Sequence, residues 1–423
     1  MKNALRIISV AVMLSMLFGS VALAATGGFD LGGKTITVVA GVDKLEGLRK
    51  EGRVAEAEQL FNCKLESLVL PVDTIVETMV TRLISGDSEY DVWGIDNDNF
   101  FDLVGRDALL PINAVLGDAY FDEARKYAEP AIRHFSVGGN IYVLSSFETL
   151  PNGATTWFAF NKDIIEAEGL PDPYDLYEAG EWNWENWRNM MVAATKDLDG
   201  DGTPDQYGVQ GLAVWAYIVC SNGTNLFVPG PDGKLKYNWN SENVLEAIQF
   251  GRQLGYIDQV AASSGFDQGT VLFAYQATWQ LDGLKTSGMN YGLIPFPKGP
   301  RAEGHTMYTG FCGGLALPAN SAEPHAIAAV MDYLFYPEDF ETYLNERNQT
   351  MINDYCPDRR SARIFAEFLP EFNKTGQILN YSLTADEVWD AYVAAMQGEK
   401  TPAEAMNEVA AQGQAYLDEL LGQ

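Results

Sequence analysis

Thr35-Ile-Thr-Val-Val-Ala40, Leu65-Glu-Ser-Leu-Val-Leu70 and Asp91-Val-Trp-Gly-Ile95 are three short apolar runs, and what lies between them decides the fold. A helical pattern from about Leu45 to Phe61 separates the first two. A second separates the last two: Asp73 is placed to cap it, Ile75, Met79 and Leu83 fall on one face, and Ser85-Gly86-Asp87 ends it. Strands alternating with helices predict an α/β domain with a parallel sheet covered by helices. Ligands of such sheets bind beyond the carboxyl ends of the strands, which singles out Asp96 and Asn97. Asn97-Asp-Asn-Phe-Phe101 then begins a helix, so Asn97 serves equally well as its N-cap.

The style continues along the chain. Ile141–Ser145, Thr155–Phe160, Tyr291–Pro297 and Gly313–Pro318 read as strands. Pro171–Trp187 reads as a Pro/Trp-rich connection into a helix at Trp187–Thr195. Helices are expected at Pro324–Phe335 and over most of the C-terminus, where Thr401-Pro-Ala-Glu404 is a capping box with proline at the first helical position.

At 423 residues the chain is too long for one core and suits two domains. Its beginning reads as a cleaved secretory leader over 1–24: Lys2 and Arg6, an apolar run from Ile7 to Phe18, then Ala22-Leu-Ala24 as a cleavage site. The first cysteine is Cys63, so an N-terminal lipid-modified cysteine is not expected, and the location read from this is periplasmic or secreted. Net charge is −30, and more negative still once a leader holding two cations and no acids is removed. Such a surface repels nucleic acid and anionic membranes. Cys63, Cys220, Cys312 and Cys356 allow two disulfides in three pairings, or buried free thiols; with no C-x-x-C, a redox motif or zinc ribbon is not indicated.

Asp197-Leu-Asp-Gly-Asp-Gly-Thr-Pro-Asp205 is the most specific local motif. Oxygen ligands from Asp197, Asp199, Asp201, Thr203 and Asp205, with Gly202 at the sharp turn, match the opening of a calcium loop. Position twelve is Gly208 and not the bidentate glutamate, so the motif is a candidate structural Ca²⁺ site that needs an acid from elsewhere; the alternative is a turn-rich loop capped by its own carboxylates. No other cofactor is required. Gly28-Phe-Asp-Leu-Gly-Gly-Lys-Thr35 satisfies a phosphate-loop pattern, but it opens a strand and not a helix, so it is taken as chance. His134, His305 and His325 lack metal-ligand spacing, and neither G-x-S-x-G nor H-E-x-x-H occurs, so no catalytic residue is assigned.

Several stretches, in order, resemble one family. They are Ser85-Gly-Asp-Ser-Glu-Tyr-Asp-Val-Trp93, Gly139-Asn-Ile-Tyr-Val-Leu144, Phe160-Asn-Lys-Asp163 with Glu168-Gly-Leu-Pro171, Phe273-Ala-Tyr-Gln-Ala-Thr-Trp279, Tyr291-Gly-Leu-Ile-Pro-Phe-Pro-Lys-Gly-Pro300, and Trp389 with Gly398–Ala405. The order resembles the family 1 extracellular solute-binding proteins, the sugar-capturing subunits of ABC importers. The resemblance implies the type II periplasmic-binding-protein fold: two hinge-linked, discontinuous α/β lobes with the ligand held between them. It places an N-lobe at 25–148 plus 309–340 and a C-lobe at 149–308 plus 341–423. It implies a carbohydrate ligand, ABC permease subunits as partners, a monomer, and no enzyme activity.

By the same resemblance Trp279 and Trp389 stand where relatives stack a ring on sugar, and Asp282 stands within reach of the hydroxyl rim. Trp215 and Tyr217 stand where relatives place aromatics, with core packing as the stronger reading. Glu148 falls at the cleft mouth, and Trp93 is read as half core, half floor. Thr278 departs from the small residue expected before Trp279. A secreted glycoside-acting enzyme with paired carboxylates, or a ligand-presenting partner of a membrane sensor, are the alternative functions.

Overall fold

In the first sheet, the opening strand Lys34–Ala40 lies parallel to Cys63–Val69 on one side and to Val92–Asp96 on the other. The computed structural model describes residues 29–97, 99–124, 134–145, 155–211, 215–232, 234–309, 313–335, 340–375, 377–378 and 383–421. The described residues fall into two compact units. One is drawn from 1–126, 140–147 and 313–343, the other from 127–139, 148–312 and 344–423.

In the first unit the sheet runs Cys63–Val69, Lys34–Ala40, Val92–Asp96, Gly313–Pro318, Leu109–Leu110, and Val143–Ser145 also pairs with Gly313–Pro318. The expectation of a parallel sheet therefore holds for its first three strands only: Gly313–Pro318 is antiparallel to Val92–Asp96. Val92 to Ile95 are all buried, as a central strand covered on both faces requires. Gly94 is dictated by that packing, since a Cβ there would sit 2.4 Å from the Ala40 Cβ.

Two local expectations need correction. The helix expected over Leu45–Phe61 is broken in two, Glu46–Lys50 and Arg53–Phe61, because Gly52 turns with φ +83°. Asp73 is not a cap: it lies within a short 3₁₀ turn, Val72–Thr74, and Thr74 precedes the helix Ile75–Ser85. The helix itself buries Ile75 and Met79 as its spacing predicts.

In the second unit the sheet runs Ala261–Ala262, Tyr207–Gln210, Val271–Ala277, Thr155–Asn161, Tyr308–Thr309, Gln377–Ile378, with Tyr291–Ile294 also paired to Thr155–Asn161. Tyr207–Gln210 and Val271–Ala277 are parallel; Thr155–Asn161 runs against Val271–Ala277. Aromatic rings fill its core. Phe158 stacks on Phe273 at 5.4 Å, and Trp184 stacks on Phe250 at 4.4 Å. The Trp-rich connection is itself partly helical: Pro173–Glu178 forms a helix whose N-cap, Asp172, accepts the Tyr174 N–H at 2.8 Å. The following helix starts earlier than expected, at Trp184, because Asn183 accepts the Asn186 N–H at 3.0 Å.

Arg360 is engaged with Asp172, Asp175 and Glu178 and lies over the Tyr174 ring. The Thr401 capping box forms as read, with Glu404 N–H donating to Thr401 Oγ1 at 3.2 Å. Cys63, Cys220 and Cys356 are free thiols; Cys312 lies outside the described residues, as do the leader at 1–24 and Glu148. Among the described residues no helix is long and apolar enough to cross a membrane.

Candidate functional site

The carboxyl ends of parallel strands are where backbone N–H groups, loops and helix starts converge, and each unit has such an edge. In the first unit it gathers the segments after Ala40, Val69 and Asp96. Val42 and Val69 are exposed apolar residues at this edge, 57% and 51% accessible. Beside Val42, the Asp43 carboxylate accepts the Leu45 N–H at 2.9 Å and pairs with Arg49. Burial acts to raise its pKa, but hydrogen bonds and the Arg49 charge outweigh it and hold the carboxyl below its ordinary value. Sequence reasoning passed over Asp43; the signal that finds it is its place just past the first strand of the βαβ unit.

Asp96 is the last residue of its strand and not a residue beyond it. Its carboxylate accepts the Asn99 N–H at 3.2 Å, while Asn99 Oδ1 accepts the Asp96 N–H at 2.9 Å. This reciprocal pair fixes the turn, and Asn99, not Asn97, takes the N-cap position of the helix Phe100–Gly105. Asn97 is buried, 2% exposed. Trp93 is likewise 2% exposed and sits mid-strand opposite Val39 and Ala316, so it belongs wholly to the core and not to a ligand floor. The uninterrupted apolar run around it already carries that signal.

In the second unit, helix Trp215–Ser221 follows the carboxyl end of Tyr207–Gln210, and helix Thr278–Ser287 follows that of its neighbour Val271–Ala277. Trp215 and Trp279 thus open helices at adjacent parallel strand ends. Tyr217 is 9% exposed, its ring packed on Tyr275 and Phe296 and its hydroxyl 3.3 Å from Thr156 Oγ1, in keeping with a core role. Burial raises the Tyr275 phenol above its ordinary pKa, so it stays a neutral hydrogen-bonding group.

The helix carrying Trp279 is firmly set. Gln280 Oε1 accepts the Ala277 N–H at 2.8 Å, and Thr278 Oγ1 accepts the buried Trp157 indole N–H at 3.1 Å. That bond explains why threonine stands where a small residue was expected. Asp282 is exposed one turn after Trp279. Trp389, on helix Asp386–Gln397, is half-buried, and Trp239 and Tyr392 meet it edge-on at 5.6 and 5.9 Å.

The acidic loop brings three of its five expected ligands together. Oxygens of Asp197, Asp199 and Asp205 lie within 4.8 Å of one another, all on exposed side chains. Asp197 accepts the Gly200 and Gly202 N–H groups at 2.6 and 2.8 Å, and these bonds, Gly202 first, lower its pKa. Asp201 is turned to a different task, accepting the Thr203 N–H at 2.7 Å. Gly208 cannot be the missing glutamate: a Cβ there would lie 2.6 Å from the Met191 Cα. Three hard oxygen donors on one turn fit calcium in kind.

Residues 66–339, more than half of the chain, match the family described as bacterial extracellular solute-binding protein. No curated protein sequence matches the chain. Among solved structures, the chain is similar to a cyclo/maltodextrin-binding protein complexed with maltotetraose, at 16% identity and TM-score 0.65, covering 91% of this chain and 97% of that one. It is similar to an ABC substrate-binding protein of Listeria monocytogenes in complex with cycloalternan, at 13% identity and TM-score 0.60, covering 92% and 99%. It is also similar to the maltose/maltodextrin-binding domain of Bdellovibrio bacteriovorus bound to maltotriose, at 16% identity and TM-score 0.57, covering 92% and 100%. At these identities the structures speak for the fold, a two-lobe α/β binding-protein fold, and the family match speaks for the class: the chain belongs to the bacterial extracellular solute-binding proteins.

Proposed function

We propose that this protein captures a carbohydrate, an oligosaccharide in particular, and delivers it to the permease subunits of an ABC importer. The observation that carries this reading is that the two helices beginning at Trp215 and at Thr278-Trp279 follow adjacent parallel strands, in a chain whose family binds solutes. Aromatic rings pack against the C–H faces of sugars, and a carboxylate such as Asp282 accepts hydrogen bonds from their hydroxyls. The oligosaccharides named in the similar structures favour the same ligand class. The protein binds without chemistry, acts as a monomer, and reaches the periplasm or the medium after loss of the leader at 1–24. The loop at Asp197, Asp199 and Asp205 holds a structural Ca²⁺ that plays no part in ligand capture.

The test is a thermal-shift screen of the mature protein against neutral and acidic mono- and oligosaccharides, maltotetraose among them, with and without calcium. A ligand at 100 times its Kd adds about 2.7 kcal/mol. A clear shift with the sugar recovered intact is the expected result. No shift across the panel rejects the carbohydrate reading, and conversion of the sugar rejects the non-catalytic one. Calcium that leaves Tm unchanged after stripping with a chelator rejects the metal.

A further inference from the structure

Tyr275 carries its hydroxyl to the carboxyl edge of the second unit's sheet. It stands two residues before Ala277, the N-cap of the helix that bears Trp279. Its ring lies 4.9 Å from that of Tyr217, which stacks on Phe296 at 5.7 Å, and Phe296 meets Phe158 at 4.7 Å. This column of rings packs the tyrosine from the core side and limits its rotamer. Its tip reaches the end of the neighbouring strand: a Cβ built on Gly211, the first residue beyond Tyr207–Gln210, would lie 3.7 Å from the Tyr275 hydroxyl. The helices that begin at Trp215 and at Thr278 start from these same two strand ends.

The hydroxyl is open to solvent and unused by the fold. Tyr275 is half-buried, and no hydrogen bond among the described residues engages its oxygen. That oxygen is not sealed in the way the Trp187 indole N–H is. Gly211 has φ +78°, a conformation that favours glycine, so the residue beside the hydroxyl has no side chain to cover it. The Gly211 N–H donates to the Ala262 carbonyl at 2.6 Å, which fixes this turn in place. A phenylalanine would fill the same volume in the ring column, so the oxygen adds nothing to the packing.

We propose that the Tyr275 hydroxyl is a specificity-determining contact of the saccharide site, hydrogen-bonded to one sugar hydroxyl, an inference that rests on the function proposed above. A phenol both donates and accepts, so it pairs with a sugar hydroxyl in either role. The ring column sets its position before ligand arrives, and little side-chain freedom is lost on binding. A sugar that lacks a hydroxyl at this point leaves the phenol to water and gains nothing from it.

Tyr275→Phe is compared with the wild type in ligand-free Tm and in Kd by calorimetry. The probes are the saccharide giving the largest shift in the panel above and its monodeoxy analogues. Ligand-free Tm should stay level, since the oxygen has no protein partner to lose. Kd for the parent saccharide should weaken about 3- to 10-fold. One monodeoxy analogue should bind the wild type more weakly by the same factor, and wild type and Tyr275→Phe should bind that analogue equally. An unchanged Kd for the parent overturns the inference. A loss shared alike by the parent and every analogue overturns it too, because the oxygen then acts through the fold and not on one hydroxyl. So does a ligand-free Tm that falls in Tyr275→Phe. A wild type that binds no saccharide rejects the proposed function itself; a wild type that binds, with a variant that binds equally, rejects this inference alone.

Discussion

The hydrogen bond from the Trp157 indole to Thr278 ties the middle of a sheet to the first residue of the helix bearing Trp279. Thr278→Val keeps the shape and removes the acceptor, leaving a buried N–H unpaired. The cost expected is about 1–3 kcal/mol, read as a lower denaturation midpoint with an unchanged m-value. Trp279→Ala should leave the fold intact and weaken saccharide binding about 10-fold or more, measured by calorimetry. At this scale the chain was partly legible. Trp279 stood out only through the family resemblance, which places it where relatives stack a ring on sugar. Trp93 was misread because a strand residue faces ligand or core according to what covers each side of the sheet, and the covering strand Gly313–Pro318 is remote in sequence.

Elements were legible where a local side chain fixes their ends. The Thr401 box needs only four residues to declare itself, and Thr401→Ala should cost about 1 kcal/mol in equilibrium unfolding. The break at Gly52 was harder to see, since apolar spacing continues across it and only the positive φ interrupts the helix. The acidic loop shows two demands meeting at one residue. A calcium loop asks for glutamate at its twelfth position, while the strand Tyr207–Gln210 must pass close beneath Met191. Packing prevails. Gly208→Ala should destabilise by about 1–3 kcal/mol or more through overpacking, seen as a lowered Tm that added calcium does not restore.

For the whole molecule, the alternation of strands and helices revealed the fold class, but not that the first sheet completes itself with residues 313–318. Nothing local marks such a long-range pairing; only the ordered resemblance to a family did. The pH response is also a property of the whole chain. Burial drives the His134 pKa from 6.5 down to about 3, so this imidazole stays neutral in the folded state. Below about pH 6.5 the unfolded chain takes up a proton that the folded chain refuses until about pH 3. Stability is therefore full above pH 6.5 and falls as acid is added, by at most about 1.4 kcal/mol per pH unit for this group. Urea titrations at pH 7.5 and 5 should show the loss, and a flat profile would contradict it. Asp258 and Asp358 carry depressed pKa values, so their share remains until the pH drops below the ordinary carboxylate range. The free thiols bear on biogenesis. Cys63, Cys220 and Cys356 have thiol pKa values raised by burial, Cys356 to about 12, which keeps them protonated and poor nucleophiles. A chain that buries these three sulfurs as it collapses needs no oxidase to settle them, so their protection comes with folding itself.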